Sequence, residues 1–530
     1  MPEHPSHSPR SSHSQHSQRS QHSQRSQRSQ RSPHSSSPFH PTHPSLPTRS
    51  SLPPRSSLPT RSSRPRKLPV LAALLAALTA TTLTACGSSG QEATGSGAGS
   101  GAGAAPGPSA LADAKGPVTV TLWHGLGGPA GEALQKEIDA FNKANRGKIV
   151  VKPSFQGSYA DAIAKYTSAI RDGSTPGIMI SNDITTGYLR DAGQTVPAQD
   201  LAAANPKDLD LDRLRPAARS YYTADGTLLA VPLNTSMPLL YVNDSMLDRA
   251  GVDRSTLGTL DAVAAAARKV HAEVPGAKGI DMPLDGWWYE QLTAASGSPY
   301  CTPDNGRKGD GATALSLTSA PQRKAIGTMA KLYTDGVALD TGIDGNAALA
   351  AFAAGRTAMM FNSSGAIGGL KEAGMTGYTA LPYPLSGPPS TAGAAIGGAA
   401  MWVGRTGHSE AEQVASWKAI SYLASAPAQE RFAEASGYAP INTDVDNSPS
   451  WKQFLTKNKP YAVLGEQFAD TPATTATSGC LTGAMSGVRA AVVPEMQRAF
   501  TGKASLDTAL KSAEKAATAK IKDYREQAGQ

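Results

Sequence analysis

The 530-residue chain carries 50 Lys and Arg against 42 Asp and Glu, a formal charge of +8. Eleven of those cations and one acid, Glu3, fall within residues 1–67, a local charge of +10, which leaves the remainder at −2. A near-neutral remainder has no surplus with which to displace counterions from phosphates, so composition argues against nucleic acid as a partner, while the length allows a large buried core.

Residues 1–66 are low in complexity, with Ser-Gln-Arg and His-Ser-Gln units followed by Pro-rich Ser-Leu-Pro-Thr-Arg-Ser units. Such a stretch has little apolar surface to bury and reads as a disordered leader. Eight of the eleven histidines (His4 to His43) lie in it, irregularly spaced and without Cys or acidic co-ligands, which argues against a metal tract. Then come Arg64-Pro65-Arg66-Lys67, an apolar run of 16 residues from Leu68 to Leu83, and Leu83-Thr84-Ala85-Cys86-Gly87. A positive flank, a short apolar core and small residues before a cut read residues 67–85 as a signal peptide. The run is short for roughly 30 Å of hydrocarbon. Leu-Thr-Ala-Cys resembles the bacterial lipobox, which implies that Cys86 is acylated and becomes the anchored N-terminus on the outer face of the cytoplasmic membrane. Residues 86–116, rich in Gly, Ala and Ser, read as a flexible tether. Cys301 and Cys480 form an even pair suited to an oxidising compartment, but sequence leaves open whether they meet.

The globular pattern starts at Val118. Residues 118–123 alternate as a strand and 130–144 show helical spacing of Leu134, Ile138 and Phe141. Strands are predicted at 149–151, 177–180, 228–232 and 239–243, and helices at 159–170, 260–271, 289–296, 321–334 and 505–525. The early alternation predicts an α/β fold with a parallel, helix-covered sheet. Strand-rich blocks at about 118–240 and 357–403 interleave with helix-rich ones. This predicts two lobes with a hinge and an interlobe cleft: lobe 1 about 118–235 and 342–403, lobe 2 about 236–341 and 404–525.

Catalytic signatures fail. Gly125-Leu126-Gly127-Gly128 follows a strand without a Gly-Lys-Ser/Thr, and there is no His-Glu-x-x-His, Gly-x-Ser-x-Gly or Cys-x-x-Cys. His124, His271 and His408 are dispersed, so a phosphodiesterase metal cluster lacks ligands. The chain reads as no enzyme, with no cofactor.

Polar and aromatic residues instead gather in turn-rich segments at strand ends. Leu122-Trp123-His124-Gly125, Gly157-Ser158-Tyr159, Pro232-Leu233-Asn234-Thr235-Ser236, Tyr241-Val242-Asn243, Asn362-Ser363-Ser364-Gly365, Ile396-Gly397-Gly398-Ala399 with Trp402-Val403, and Gly437-Tyr438-Ala439-Pro440-Ile441 occur in that order. Singly they are cap and turn chemistry. Together they resemble the extracellular solute-binding proteins of ABC importers, above all the glycerol-3-phosphate and glycerophosphodiester binding subunits, across 118–525. The resemblance implies a periplasmic-binding-protein-like fold, a monomer, a small polar solute as ligand and ABC permease subunits as partners. It implies that Tyr159 and Asp183 take a glycerol end, where a carboxylate accepts from vicinal hydroxyls. Ser236 and Ser363 would offer hydroxyls and Gly398 its backbone N–H. Tyr438 and Arg489 would hold the phosphate, the guanidinium through parallel N–H bonds and facing Asp183 from the opposite wall of one crevice. One departure stands out: some members carry Trp-x-x-Trp where this chain has Leu284-Asp285-Gly286-Trp287. A smaller wall at Leu284, with Trp287 against a quaternary ammonium, favours glycerophosphocholine over sn-glycerol-3-phosphate. The register needs a one-residue gap, so Trp288 is the alternative wall. An oligosaccharide ligand is the alternative within the family.

Overall fold

The computed structural model describes residues 104–309 and 311–530. The predicted leader, signal peptide, acylated Cys86 and most of the tether lie outside the described residues. The tether's last part, 104–116, is not free. It includes a short helix, Ser109–Ala112, the Pro106 carbonyl accepts from Asn205 Nδ2 at 3.0 Å, and Leu111 packs on the core. A run of small residues thus gains order from the surface it meets. Among the described residues no helix is long and apolar enough to cross a membrane.

Two sheets organise the compact unit Gly97–Gln530. The first has the order Ile149–Phe155, Val118–His124, Ile178–Asn182, Gly397–Gly404, Thr195–Val196, with Val231–Ser236 also paired to Gly397–Gly404. The three leading strands run parallel, Val118 opposite Ile149 and Leu122 opposite Ile178. Gly397–Gly404 then returns antiparallel, Met401 opposite Ile180, so the sheet is mixed where the early alternation predicted a parallel one. Helices Gly128–Ala144 and Tyr159–Asp172 are connections of the parallel part. The second sheet has the order Ala338–Leu339, Lys278–Asp281, Thr357–Ser363, Pro238–Asn243, Tyr378–Pro382.

Strand pairing moves the predicted lobe boundary. Thr357–Ser363 and Tyr378–Pro382, expected in lobe 1 with residues 342–403, pair with Pro238–Asn243 in the second sheet. Only Gly397–Gly404 of that block joins the first. Helices Glu410–Leu423 and Ala426–Ser436, expected in lobe 2, pack on the first lobe, the former on strand Val118–His124 and the latter on helix Gly128–Ala144. Helices Met485–Phe500 and Leu506–Ala528 do cover the second lobe. Composition distinguishes strand from helix, but it carries no signal for which of two sheets a strand joins.

The chain therefore crosses between lobes at 236–238, at 383–396 and at 437–484. At the first crossing Ser236 ends one strand and Pro238 opens the next, with the buried Met237 alone between them. Both strands are buried on both faces, and Pro232 to Ser236, predicted as a connection between strands, is itself strand.

Candidate ligand site in the interlobe cleft

Strand ends and helix starts from both lobes converge on the cleft. Tyr159 is the first residue of its helix. Ser158 caps that helix in a reciprocal box with Asp161, whose carboxylate accepts from the Ser158 backbone N–H at 2.9 Å. The box fixes the backbone that presents the phenol. Asp183 follows strand Ile178–Asn182 directly and is buried. Asn234 and Ser236 belong to Val231–Ser236. At Gly398 the chain adopts φ +117°, and a Cβ would collide with the Asn234 carbonyl, so only glycine allows this approach.

The second lobe contributes helix Gly286–Ala295, capped by Asp285, whose Oδ1 accepts from the Trp287 N–H at 2.7 Å. Trp287 projects toward the first lobe: a Cβ built on Gly397 would come 3.2 Å from Trp287 Cζ2 and 2.9 Å from Ser236 Oγ. Trp288 instead turns into the second core and stacks on Phe361 with ring centroids 6.1 Å apart. The predicted alternative wall is thereby a core residue. Leu284 also lies in the second core, its N–H donating to the Gly342 carbonyl at 2.8 Å. Ser363 ends strand Thr357–Ser363, and its Oγ accepts from the Gly365 N–H at 3.2 Å, which leaves its own O–H to donate.

Arg489, on helix Met485–Phe500, meets Asp183 across the cleft at 3.4 Å. A second contact was not predicted. Glu290 accepts from Arg489 Nε at 2.6 Å and Nη2 at 3.0 Å. Burial alone would pull the guanidinium down, but Glu290 and Asp183 outweigh it and hold Arg489 charged. Burial pushes Asp183 and Asp285 up despite Arg489. It pushes Glu290 up to about 7. A Cβ on Gly286 would fall 2.6 Å from Arg489 Cγ, so that glycine lets the two helices approach.

The facing of Arg489 and Asp183 across the crevice is as expected, and Glu290 is the addition to it. Asp183 was paired with Tyr159, and Arg489 with Tyr438. The structure groups Asp183 with Arg489 and Glu290, and sets Tyr159, which also feels the Asp183 charge, and Tyr438 beside the Asn234 amide without hydrogen-bond geometry to it. Burial pushes the pKa of both phenols up, so each remains a neutral donor.

Several buried polar atoms here lack any partner: Tyr159 OH, Asn182 Oδ1, both polar atoms of the Asn234 amide, Trp287 Nε1 and His124 Nδ1. Buried polar groups are nearly always satisfied, so a cluster of orphans on facing walls marks space for a polar ligand. Beside it lies a cavity of about 430 Å³, lined among others by Gly127, Ala130, Gly345, Asn362, Ser363 and Tyr438. Among the described residues no group of three or more His, Cys, Asp or Glu could hold a metal ion.

Glu290 and Asp285 escaped the sequence reading. The available signal was a single carboxylate on the otherwise nearly uncharged helix Gly286–Ala295, since an apolar helix seldom buries a charge without a partner elsewhere. Away from the cleft, Cys301 and Cys480 are joined in a disulfide with Cα atoms 5.6 Å apart.

The family model of bacterial extracellular solute-binding proteins matches residues 136–457. The sn-glycerol-3-phosphate-binding periplasmic protein UgpB of Escherichia coli (strain K12) is 26% identical over 410 residues, 76% of this chain and 92% of that protein. Its counterpart in Pectobacterium atrosepticum is 26% identical over 426 residues, 78% and 94% of the two chains. Among solved structures, UgpB from Mycobacterium tuberculosis in complex with glycerophosphocholine superposes with a TM-score of 0.65 at 18% identity, covering 77% of this chain and 99% of that one. The cyclic alpha-maltosyl-1,6-maltose binding protein from Arthrobacter globiformis gives 0.64 at 21%, with 77% and 100% covered. The two structures share the two-lobe α/β fold with this chain.

Proposed function

The chain belongs to the bacterial extracellular solute-binding protein family, and on that premise we propose that it is the lipid-anchored receptor of an ABC importer and captures a glycerophosphodiester such as glycerophosphocholine. The observation that carries the reading is the cluster of unpartnered buried polar atoms shared by both lobes. A phosphodiester carries acceptors for neutral donors at Tyr159, Asn234, Ser236, Ser363 and Tyr438 and for the Gly398 N–H. A glycerol end supplies hydroxyls that donate to Asp183 and accept from Arg489. Trp287 gives an aromatic wall beside them. The ligand relatives in Escherichia coli and Mycobacterium tuberculosis support this chemistry by their names.

The lobes close on the ligand and the closed form docks on the permease, Cys86 holding the receptor at the membrane. Closure shifts only as far as the ligand's differential affinity for the two states allows. No chemical step is required.

An oligosaccharide ligand is the second reading. The carboxylate excess around Arg489 favours it, because carboxylates recognise polyols and the receptor from Arthrobacter globiformis binds a maltosyl sugar. Calorimetric titration of the purified chain with glycerophosphocholine, sn-glycerol-3-phosphate and maltose separates the cases. Tightest binding of the choline diester is expected. Tighter binding of the monoester would sink the diester assignment, and binding of maltose alone would replace it with a sugar receptor.

A further inference from the structure

The inner end of the cleft holds more acid than its guanidinium balances. Asp183, Asp285 and Glu290 surround Arg489, a formal charge of −2 for four groups that act on one another electrostatically. Glu290 closes one edge of the guanidinium fork at 2.6 and 3.0 Å, and Nη2 also faces Asp183 at 3.4 Å. A fork already closed on that edge cannot offer the same parallel pair of N–H bonds to phosphate. The neutral donors lie instead around Asn234, between the Tyr159 and Tyr438 phenols.

We propose that Glu290, backed by Asp285, sets the charge selectivity of the cleft: it occupies and neutralises Arg489, so the inner end takes hydroxyls and a dianionic phosphomonoester is disfavoured against a diester. This rests on the glycerophosphate reading of the ligand. Glu290 acts through Arg489 and through its own charge. Asp285 acts through charge alone, since its hydrogen bond goes to the Trp287 backbone.

The test is calorimetric titration of the purified chain, Glu290→Gln and Asp285→Asn with sn-glycerol-3-phosphate and glycerophosphocholine at about pH 8, above the value of about 7 to which burial pushes Glu290, and where the monoester is a dianion. The unaltered chain is expected to prefer the diester. Glu290→Gln should narrow that preference about tenfold by tightening the monoester, as removal of one close, poorly screened charge allows. Asp285→Asn should narrow it in the same direction by less, and Asn remains a competent helix cap, so this variant folds even if the other does not. A merely structural role would move both affinities together. An unchanged ratio in Glu290→Gln, with binding intact, overturns the proposal, and an unchanged ratio in Asp285→Asn overturns the part given to that residue. If the unaltered chain binds neither ligand, the glycerophosphate reading has failed, and the proposal fails with it.

Discussion

Asn234 carries the tension between stability and binding in a single side chain. Both its amide atoms are buried without partners, a cost that a hydrogen-bonding ligand offsets. Asn234→Leu should therefore weaken glycerophosphocholine binding by about tenfold or more while leaving the melting temperature unchanged or higher. Calorimetry and thermal denaturation of the same sample check both halves, and a large loss of stability would contradict the account. Asp281 poses the opposite case. It lies fully buried in the second sheet, accepting from Thr341 Oγ1 at 2.9 Å, and burial pushes its carboxyl up to about 7. Its folded pKa thus lies above the unfolded value of about 3.9, so the native state holds the proton across the window between them and stability falls as pH rises through it. Asp281→Asn should flatten that part of the melting profile between about pH 4 and pH 7, by on the order of 2 to 4 kcal/mol at the upper end.

At the scale of elements, the sequence was most legible where a single local rule decides. The capping box at Ser158, the period of helix Gly128–Ala144 and the alternation in Val118–His124 are each written in a few neighbouring residues. Of the site, the turn motifs were legible because they must hold polar atoms at strand ends. The pairing of Arg489 with Glu290 was not, since nearly two hundred positions separate them and only the packing of two helices brings them together. Sheet membership of Thr357–Ser363 failed because strands of both sheets show the same nearly continuous burial. The disulfide belongs to this scale too. Cys480 lies in the third crossing, Cys301 in the second lobe, and the bond closes a separation of 179 residues. Nearby, Arg307 donates to the carbonyls of Tyr221, Thr223, Ser478 and Gly479, with burial pulling its guanidinium down to about 10. Cys301→Ser with Cys480→Ser should cost roughly 3 to 5 kcal/mol in denaturant unfolding, the range expected for so long a loop. Near-identical midpoints would show that Arg307 and its carbonyls hold the crossing without the bond.

For the whole molecule, the ion pair between Asp183 and Arg489 joins the lobes. Its carboxylate and guanidinium stand on different sheets' supports, so lobe separation breaks it. Small-angle scattering should show a smaller radius of gyration on addition of glycerophosphocholine, and Asp183→Asn should enlarge the ligand-free value. Identical scattering with and without a tightly bound ligand would contradict a closing receptor.

The crossing at Met237 behaves mechanically like a living hinge moulded in one piece of plastic. Both neighbours are locked into hydrogen-bonded ladders, and the ring of Pro238 fixes its own φ and narrows the choices of the residue before it. Few soft torsions remain at this crossing, so it favours a pivot over a slide. A junction with so few free torsions narrows the set of paths along which the two lobes can part.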